Sequence, residues 1–302
     1  IGDDDDEGEL VVLNITDPAN PVITGRVEIS GPALDVSLLG SYAYLATGAP
    51  TAEFLRVDIS NPSSPQYSGA VDLDGEARAI ATLGPFGYLV TDGNIQEFAI
   101  IGNDPSSPAA LTSRATLDLP GSADARAVVL AGTTAYLGTA ENASGPEFWA
   151  VDVRNSAAPQ PLGSLEVGAS VHGITAAGSY VYLATSLASA ELIAVDVSDP
   201  RTPRILGTVD EPGPEDGRGV ALNGTRVVLV RDAVPGQPWF SVIDALSPLA
   251  PGPVRGFLSS ASGMFLGGRG VAVSSARAYV PVQNTNDPDG ELQRVDVATV
   301  TS

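Results

Sequence analysis

A phrase of about a dozen residues returns along the chain at a nearly fixed interval, and this period limits the fold more than any local propensity does. It joins an apolar strand with a late Asp to a Ser/Asn/Asp-Pro corner and, two or three residues on, a second Pro. It reads LVVLNITDPANP at 10–21, FLRVDISNPSSP at 54–65, FAIIGNDPSSP at 98–108 and FWAVDVRNSAAP at 148–159. It returns as LIAVDVSDPRTP at 192–203, as FSVIDALSPLAP at 240–251 and as LQRVDVATV at 292–300. Asp58, Asp152, Asp196, Asp244 and Asp296 mark the period at 44 to 52 residues, once a blank repeat near residue 100 is counted.

Between these phrases lies a second unit: an apolar strand, a tight turn and a Tyr-bearing strand. Examples are DVSLLGSYAYLAT at 35–47, AVVLAGTTAYLGT at 127–139 and GITAAGSYVYLAT at 173–185. VALNGTRVVLV at 220–230 carries Asn223-Gly224, a strong hairpin signal. Each apolar run is too short and too β-branched for a helix. One period therefore holds four strands: A (inner hairpin arm), B (the Tyr strand), C (the VD strand) and D, as in PVITGRVEI at 21–29. Four antiparallel strands, repeated, make a propeller blade. The predicted fold is an all-β propeller of four-stranded antiparallel blades over 10–298, after an acidic loop or truncated strand end at 1–9 and before a tail at 299–302. Pro belongs at the C–D corner because it cannot donate to a ladder. The Asp before it can accept N–H groups of the turn, which predicts a structural role for these carboxylates.

These residues resemble the LVIVD-repeat family of surface-associated β-propellers. VDISNPSSP and VDVSDPRTP carry the resemblance best, while the third repeat lacks the Asp and the sixth replaces the corner with ALSPLAP. The resemblance implies a propeller fold and a surface location, and it brings no established activity.

The strand count favours six blades, with seven as the alternative. Six A, six B and six D strands stand against seven C strands. A six-bladed ring closes if the C-terminal A and B strands pair with the C and D strands at 10–29, leaving 291–298 spare. Alternatively the strand at 10–15 is displaced and the C-terminal arm supplies A, B and C. Seven blades need two strands before Ile1 and one after Ser302.

Charge narrows the partners. Asp and Glu number 36 against 15 basic residues, all of them Arg, for a formal net charge of −21. Such a surface repels phosphate backbones and anionic headgroups, which disfavours nucleic acid and membrane surfaces. No apolar run approaches the roughly 20 residues of a membrane span. The absence of Cys excludes disulfides and thiolate metal sites. The first residue is Ile rather than Met, so the sequence is expected to be processed or excised, with any signal peptide or anchor outside it; the expected location is extracellular or at the cell surface.

Three groups of residues are candidate sites. The first residue of each A strand reads Asp35, Arg78, Arg126, His172, Arg218 and Arg269, which predicts a cationic ring at one mouth of a propeller channel. Guanidinium groups there suit a small anionic ligand, or else pair with carboxylates of the blades. The acidic B–C loops, with Asp3, Asp4, Asp5, Asp6 and Glu7 in the first and Asp287, Asp289 and Glu291 in the last, suit a Ca²⁺ ion. Glu9, Glu53, Glu97, Glu147, Glu191 and Glu291 each precede strand C, a regularity that points to a role in the repeat itself. Catalysis finds little support, because the single His172 has no evident nucleophile and no G-x-S-x-G elbow occurs. The expected function is a non-enzymatic extracellular or cell-surface module for protein interaction, adhesion or appendage assembly, whose partners are other surface proteins or further copies of itself. The alternatives are a calcium-dependent propeller hydrolase or lactonase, and a binder of a small anion at the Arg ring.

Overall fold

The computed structural model describes residues 8–17, 20–93, 96–102, 111–121, 124–143, 145–232, 234, 236–245, 254–259, 265–268, 270–274, 276–284, 287–298 and 300. Every regular element among them is a strand. β1 (Leu10–Asn14) and β2 (Val22–Val27) form a two-stranded sheet of the C and D type. The first complete blade is β3 (Ala33–Leu39), β4 (Tyr42–Thr47), β5 (Phe54–Asp58) and β6 (Gln66–Val71). The second is β7 (Ala77–Leu83), β8 (Phe86–Thr91), β9 (Phe98–Gly102) and β10 (Thr112–Leu117). The third is β11 (Ala125–Ala131), β12 (Thr134–Thr139), β13 (Phe148–Asp152) and β14 (Gln160–Leu165). β15 (Val171–Ala177), β16 (Tyr180–Thr185), β17 (Leu192–Asp196) and β18 (Arg204–Val209) make the fourth. β19 (Gly217–Asn223), β20 (Arg226–Arg231), β21 (Pro238–Asp244) and β22 (Val254–Ser259) make the fifth.

In the sixth sheet the A strand is broken into β23 (Phe265–Gly268) and β24 (Ala272–Ser274), which share one edge of β25 (Arg277–Asn284). β26 (Asp287–Asp296) takes the other edge. The C-terminal arm thus supplies A, B and C itself, as one of the two expected closures has it, and β1 pairs only with β2 among the described strands. The fold is an all-β propeller of six four-stranded antiparallel blades, accompanied by the two-stranded sheet. By its contacts the chain forms two compact units, 1–130 with 153–160 and 131–152 with 161–302.

Within a blade, A and B are joined by a two-residue turn. Gly40, Gly132, Gly178 and Gly224 occupy it with φ near +60°, a region that favours Gly. Asn223 pairs with Arg226, so the hairpin loop is Gly224-Thr225 and the Asn of the expected Asn-Gly turn ends the strand instead. The Tyr strands are buried, and their rings lie against Phe at the head of strand C: Tyr44 on Phe54, Tyr88 on Phe98 and Tyr136 on Phe148, with centroids 5.8–6.3 Å apart. Val300, expected in a tail, is buried in the apolar cluster of the last sheet with Val280 and Val295, because its side chain gains more there than in water.

Two polar devices recur among the blades. At the C–D corner, Asp58 Oδ1 accepts the Ser60 N–H at 2.8 Å, Asp196 Oδ1 that of Ser198 at 2.9 Å and Asp296 Oδ1 that of Ala298 at 3.0 Å. Asn61, Asn155 and Asp199 repeat the bond one step on, so the corner is a pair of side-chain-capped turns. Those bonds, with Arg204 beside it, hold the Asp196 carboxyl down at about 2. The second device is the Glu before strand C. Oε2 accepts the N–H of Ile29 from Glu9, of Leu73 from Glu53, of Leu119 from Glu97, of Val167 from Glu147 and of Glu211 from Glu191, all at 2.7–2.9 Å. Each of these Glu residues is buried. The regularity seen in the sequence is therefore a clamp that ties the end of strand D back to the start of strand C.

Candidate functional site

The A strands begin with a β-bulge, and the bulge decides which residues share a position. In β7 the register skips Arg78, between Ala77↔Thr91 and Ala79↔Val90. In β15 it skips His172 and in β19 Arg218. In β3 the skipped residue is Leu34, and Asp35 already pairs with Ala46. Asp35 thus stands one place beyond the expected set: the extra residue reverses the alternation of side chains, which spacing along the sequence does not reveal. Arg269 lies outside the described residues.

Asp35 instead joins two blades. Its Oδ2 accepts the Ile80 N–H at 2.9 Å and its Oδ1 the Val36 N–H at 2.8 Å. Burial nevertheless raises its carboxyl to about 6, against which the two N–H bonds pull down. Beside it, Ser37 Oγ and Thr82 Oγ1 lie 2.8 Å apart, so β3 and β7 meet through a polar seam.

The described Arg residues at the bulge come with carboxylates on both sides. Arg78 Nη2 is 2.9 Å from Glu76 Oε2, and its Nε bonds Asp92 at 3.1 Å. In the other unit, Arg218 Nη2 lies 3.1 Å from Asp216 and 2.7 Å from Asp232, and its Nε bonds both oxygens of Asp232. The acids come from two and fourteen residues away in both cases. Around Arg218 the pairing with Asp232 raises the guanidinium further, while burial raises Asp216. Each Arg therefore carries two carboxylates and a local surplus of negative charge, which opposes capture of a free anion. The expected cationic ring is neutralised at these two blades by the repeat's own acids.

His172 sits at the same position in the fourth blade, where the flanking residues are Ser170 and Ser186 instead of acids. Its Nε2 lies 3.2 Å from Arg218 Nη1 and 3.8 Å from Asp216 Oδ2. Ser170 and Ser186 are bonded to each other by N–H to Oγ at 3.1 Å, and Ser170 Oγ accepts the Glu141 N–H. Those bonds place both hydroxyls in the loop framework, not as a nucleophile on His172. Arg126 differs from Arg78 and Arg218: fourteen residues on stands Ala140, and its buried Nε has no hydrogen-bond partner.

One cluster was not visible in the sequence. The B strands of four blades end in Thr47, Thr91, Thr139 and Thr185, but the fifth ends in Arg231, which is fully buried. Arg231 Nη2 meets Glu215 Oε2 at 3.0 Å and bonds the carbonyls of Pro212 and Glu215, with Glu191 Oε1 at 4.0 Å. Glu191 and Glu211 are also buried, each with Oε1 unbonded, and burial raises both carboxyls. A Thr-to-Arg exchange within an otherwise regular repeat was the available signal.

Asp3, Asp4, Asp5, Asp6 and Glu7 lie outside the described residues. The backbone of Asp287, Asp289 and Glu291 runs in β26, not in the expected loop, because the β25–β26 ladder extends to Asn284↔Asp287; their side chains lie outside the description. Among the described residues no group of three or more His, Asp or Glu side chains is arranged to hold a metal ion. In the first unit an open groove of about 660 Å³ is lined by Leu39, Tyr42, Asp58, Ser60 and Pro85.

The LVIVD repeat family matches residues 4–29, 30–73 and 168–211. Among curated proteins no sequence matches this chain. Solved structures share the fold. A candidate 6-phosphogluconolactonase from Bacteroides uniformis is 12% identical with a TM-score of 0.67, covering 92% of this chain and 89% of that one. A second, from Bacteroides fragilis, is 9% identical with a TM-score of 0.68, covering 92% and 86%. A chain of the mitotic checkpoint complex is 11% identical with a TM-score of 0.70, covering 96% and 86%. At such identities the likeness speaks to the fold alone. This chain is thus a six-bladed β-propeller in which three stretches match the LVIVD repeat.

Proposed function

We propose that this propeller is a non-enzymatic protein-interaction module of the cell surface or extracellular space. One observation carries the reading. The recurrent charged residues at the clamps, the corners and the Arg78 and Arg218 bulges are engaged in holding the blades, while an apolar stripe on an A strand stands open. Leu34, Val36 and Leu38 on β3 are 38%, 49% and 65% exposed. Exposed aliphatic side chains in a row on a strand favour protein contact over small-molecule chemistry. The net charge of −21 suits a protein outside the cell, and the LVIVD resemblance points the same way.

The test is partner capture by covalent cross-linking on intact cells of the source, comparing the wild type with Leu38→Glu. Partners that cross-link to the wild type and are lost with the variant support the reading. Hydrolysis of 6-phosphogluconolactone above the spontaneous rate, reduced by His172→Gln, would overturn it in favour of an enzyme. A second reading, anion binding, keeps one foothold in the unbonded Nε of Arg126. Sulfate affinity that Arg126→Ala abolishes would support it.

A further inference from the structure

Between the fourth and fifth blades the chain departs from its own repeat at four positions, and the departures meet. The residue whose N–H the clamp Glu holds is Ile29, Leu73, Leu119 or Val167 elsewhere, but here it is Glu211. Arg231 ends strand B where four other blades have Thr. Ser241 takes the place in strand C that Leu55, Ala99, Trp149 and Ile193 hold, as the pairing with strand B shows. Glu215, two residues before β19, stands where Gly31, Gly75 and Ala169 precede β3, β7 and β15. In the first blade Ile29 and Leu55 pack in one apolar cluster, and the corresponding pair here is Glu211 and Ser241.

All these residues lie in the second compact unit, and the charges among them do not balance. Glu191, Glu211, Glu215 and Arg231 are 0%, 2%, 6% and 0% exposed, so three buried carboxylates share one guanidinium. Glu215 Oε2 takes Arg231 Nη2 at 3.0 Å, and Glu191 Oε1 stands 4.0 Å from it. Among the described residues no ion pair reaches the Glu211 carboxyl. Burial is the largest influence on that carboxyl and raises it, Ser241 and Arg231 draw it down, and Glu191 and Asp210 push it up. Glu211 Oε1 and Ser241 Oγ are nevertheless both buried without a hydrogen bond. Asp216, Asp232 and His172 gather instead around Arg218 at the bulge. A buried carboxylate with no partner costs several kcal/mol, and taking up a proton removes that cost.

We propose that Glu211 and Glu191 hold one proton between them at neutral pH, and that its loss as the pH rises unlatches the connection from β18 to β19. The two carboxyls titrate as a pair because the Glu191 carboxylate already grips the Glu211 backbone N–H at 2.8 Å. Arg231 staples the connection by bonding the carbonyls of Pro212 and Glu215. When the proton leaves, a second charge appears beside Glu191 and Asp210 with no further cation to meet it. The repulsion is relieved by moving residues 210–216 outward, and Pro212 and Pro214 on that connection already face solvent. The folded protein keeps a proton that the unfolded chain releases above the ordinary 4.5, so stability falls as pH rises from there through the folded value.

The test is carbon-13 NMR of the 302-residue protein labelled at the Glu carboxyl carbons, titrated from about pH 4 to about pH 9. Labelling Glu alone leaves Asp35, Asp216 and His172 silent. Amide hydrogen exchange of residues 211–217 is followed over the same range and corrected for its intrinsic pH dependence. A resonance that disappears in Glu211→Gln is expected to titrate above the ordinary glutamate range, and the Glu211 amide is expected to lose protection across the same titration. In Glu211→Gln, and in Glu211→Leu, which restores the residue of Leu73 and Leu119, protection should stay constant over that range. Ordinary titration of every Glu in the wild type would overturn the proposal without recourse to any variant. A raised titration with unchanged protection would overturn it too, because the proton would then be held without latching the connection.

Discussion

Glu147 Oε2 accepts the backbone N–H of Val167 at 2.9 Å across twenty residues of sequence, tying the end of the blade's strand D back to the start of its strand C. The same oxygen takes the Gly168 N–H at 3.0 Å, and the side chain is fully buried. Glu147→Ala leaves two N–H groups without their acceptor. The expected loss is about 2–3 kcal/mol in urea unfolding. Glu147→Gln, which keeps an oxygen there, should lose much less. Equal losses in both variants would show that charge, not the N–H acceptor, is what matters.

Arg218 separates two carboxylates, so its removal exposes their repulsion. Arg218→Ala should destabilise by about 1 kcal/mol at neutral pH, a modest figure because the site is about one-third exposed. Without the guanidinium, Asp216 rises further above its ordinary value. A carboxyl raised in the folded state costs stability above its folded value and regains it as pH falls. The gap between variant and wild type should therefore shrink on acidification towards pH 4, as read by thermal melts. The same melts in millimolar sulfate should show no stabilisation that depends on Arg218, since its local field is already negative.

Asp35 gives a second pH signature with the same sign. Its folded carboxyl is pushed up to about 6 from an ordinary 3.8. Between those values the folded protein holds a proton that the unfolded chain has released, so stability falls as pH rises through that window. Asp35→Asn cannot ionise but keeps an oxygen for the Ile80 N–H. At pH 7 it should be more stable than the wild type by about 1–2 kcal/mol, after discounting for partial exposure, and the advantage should vanish below about pH 4. Urea titrations at several pH values measure it; a pH-independent difference would contradict the assignment.

Gly163 on β14 lies under the corner of the next blade. A Cβ there would sit 2.6 Å from the carbonyl oxygens of Pro200 and Arg201, which are backbone and cannot swing away. Gly163→Ala should cost about 2–4 kcal/mol or separate the two blades. Gly132 is the control. It has φ +60° but open space around it, so Gly132→Ala should cost only about 1 kcal/mol.

The repeat made much of this legible. Asp58 and Asp196 were readable as corner caps because an Asp before Ser/Asn/Asp-Pro has few other uses, and Glu53, Glu97, Glu147 and Glu191 were readable as parts of the repeat because they always precede strand C. The bulge set was misaligned at one place. Counting along the chain puts Asp35 with Arg78, whereas the ladder puts Leu34 there, and only strand pairing can detect one extra residue. The carboxylates at Glu76, Asp92, Asp216 and Asp232 are not legible as partners of Arg78 and Arg218, because they lie two and fourteen residues away, in the loops on either side of the A–B hairpin. Arg231 carries no signal of burial, because a single Arg at the end of a strand normally points to solvent.

The sequence by itself determined the strand type, the four-strand period and the recurrent residues that cap and clamp the blades. Those follow from local chemistry: alternation selects strands, Pro and Asp select corners, and a fixed spacing repeats both. Tertiary structure decided which charges meet, which strand edges are filled and which apolar faces remain open. β26 rather than β1 takes the edge of β25, although both strands carry the repeat's C pattern, and Val36 stands exposed where Ile80 is buried. Identical local chemistry cannot distinguish these outcomes, because burial and pairing depend on what the rest of the chain brings alongside.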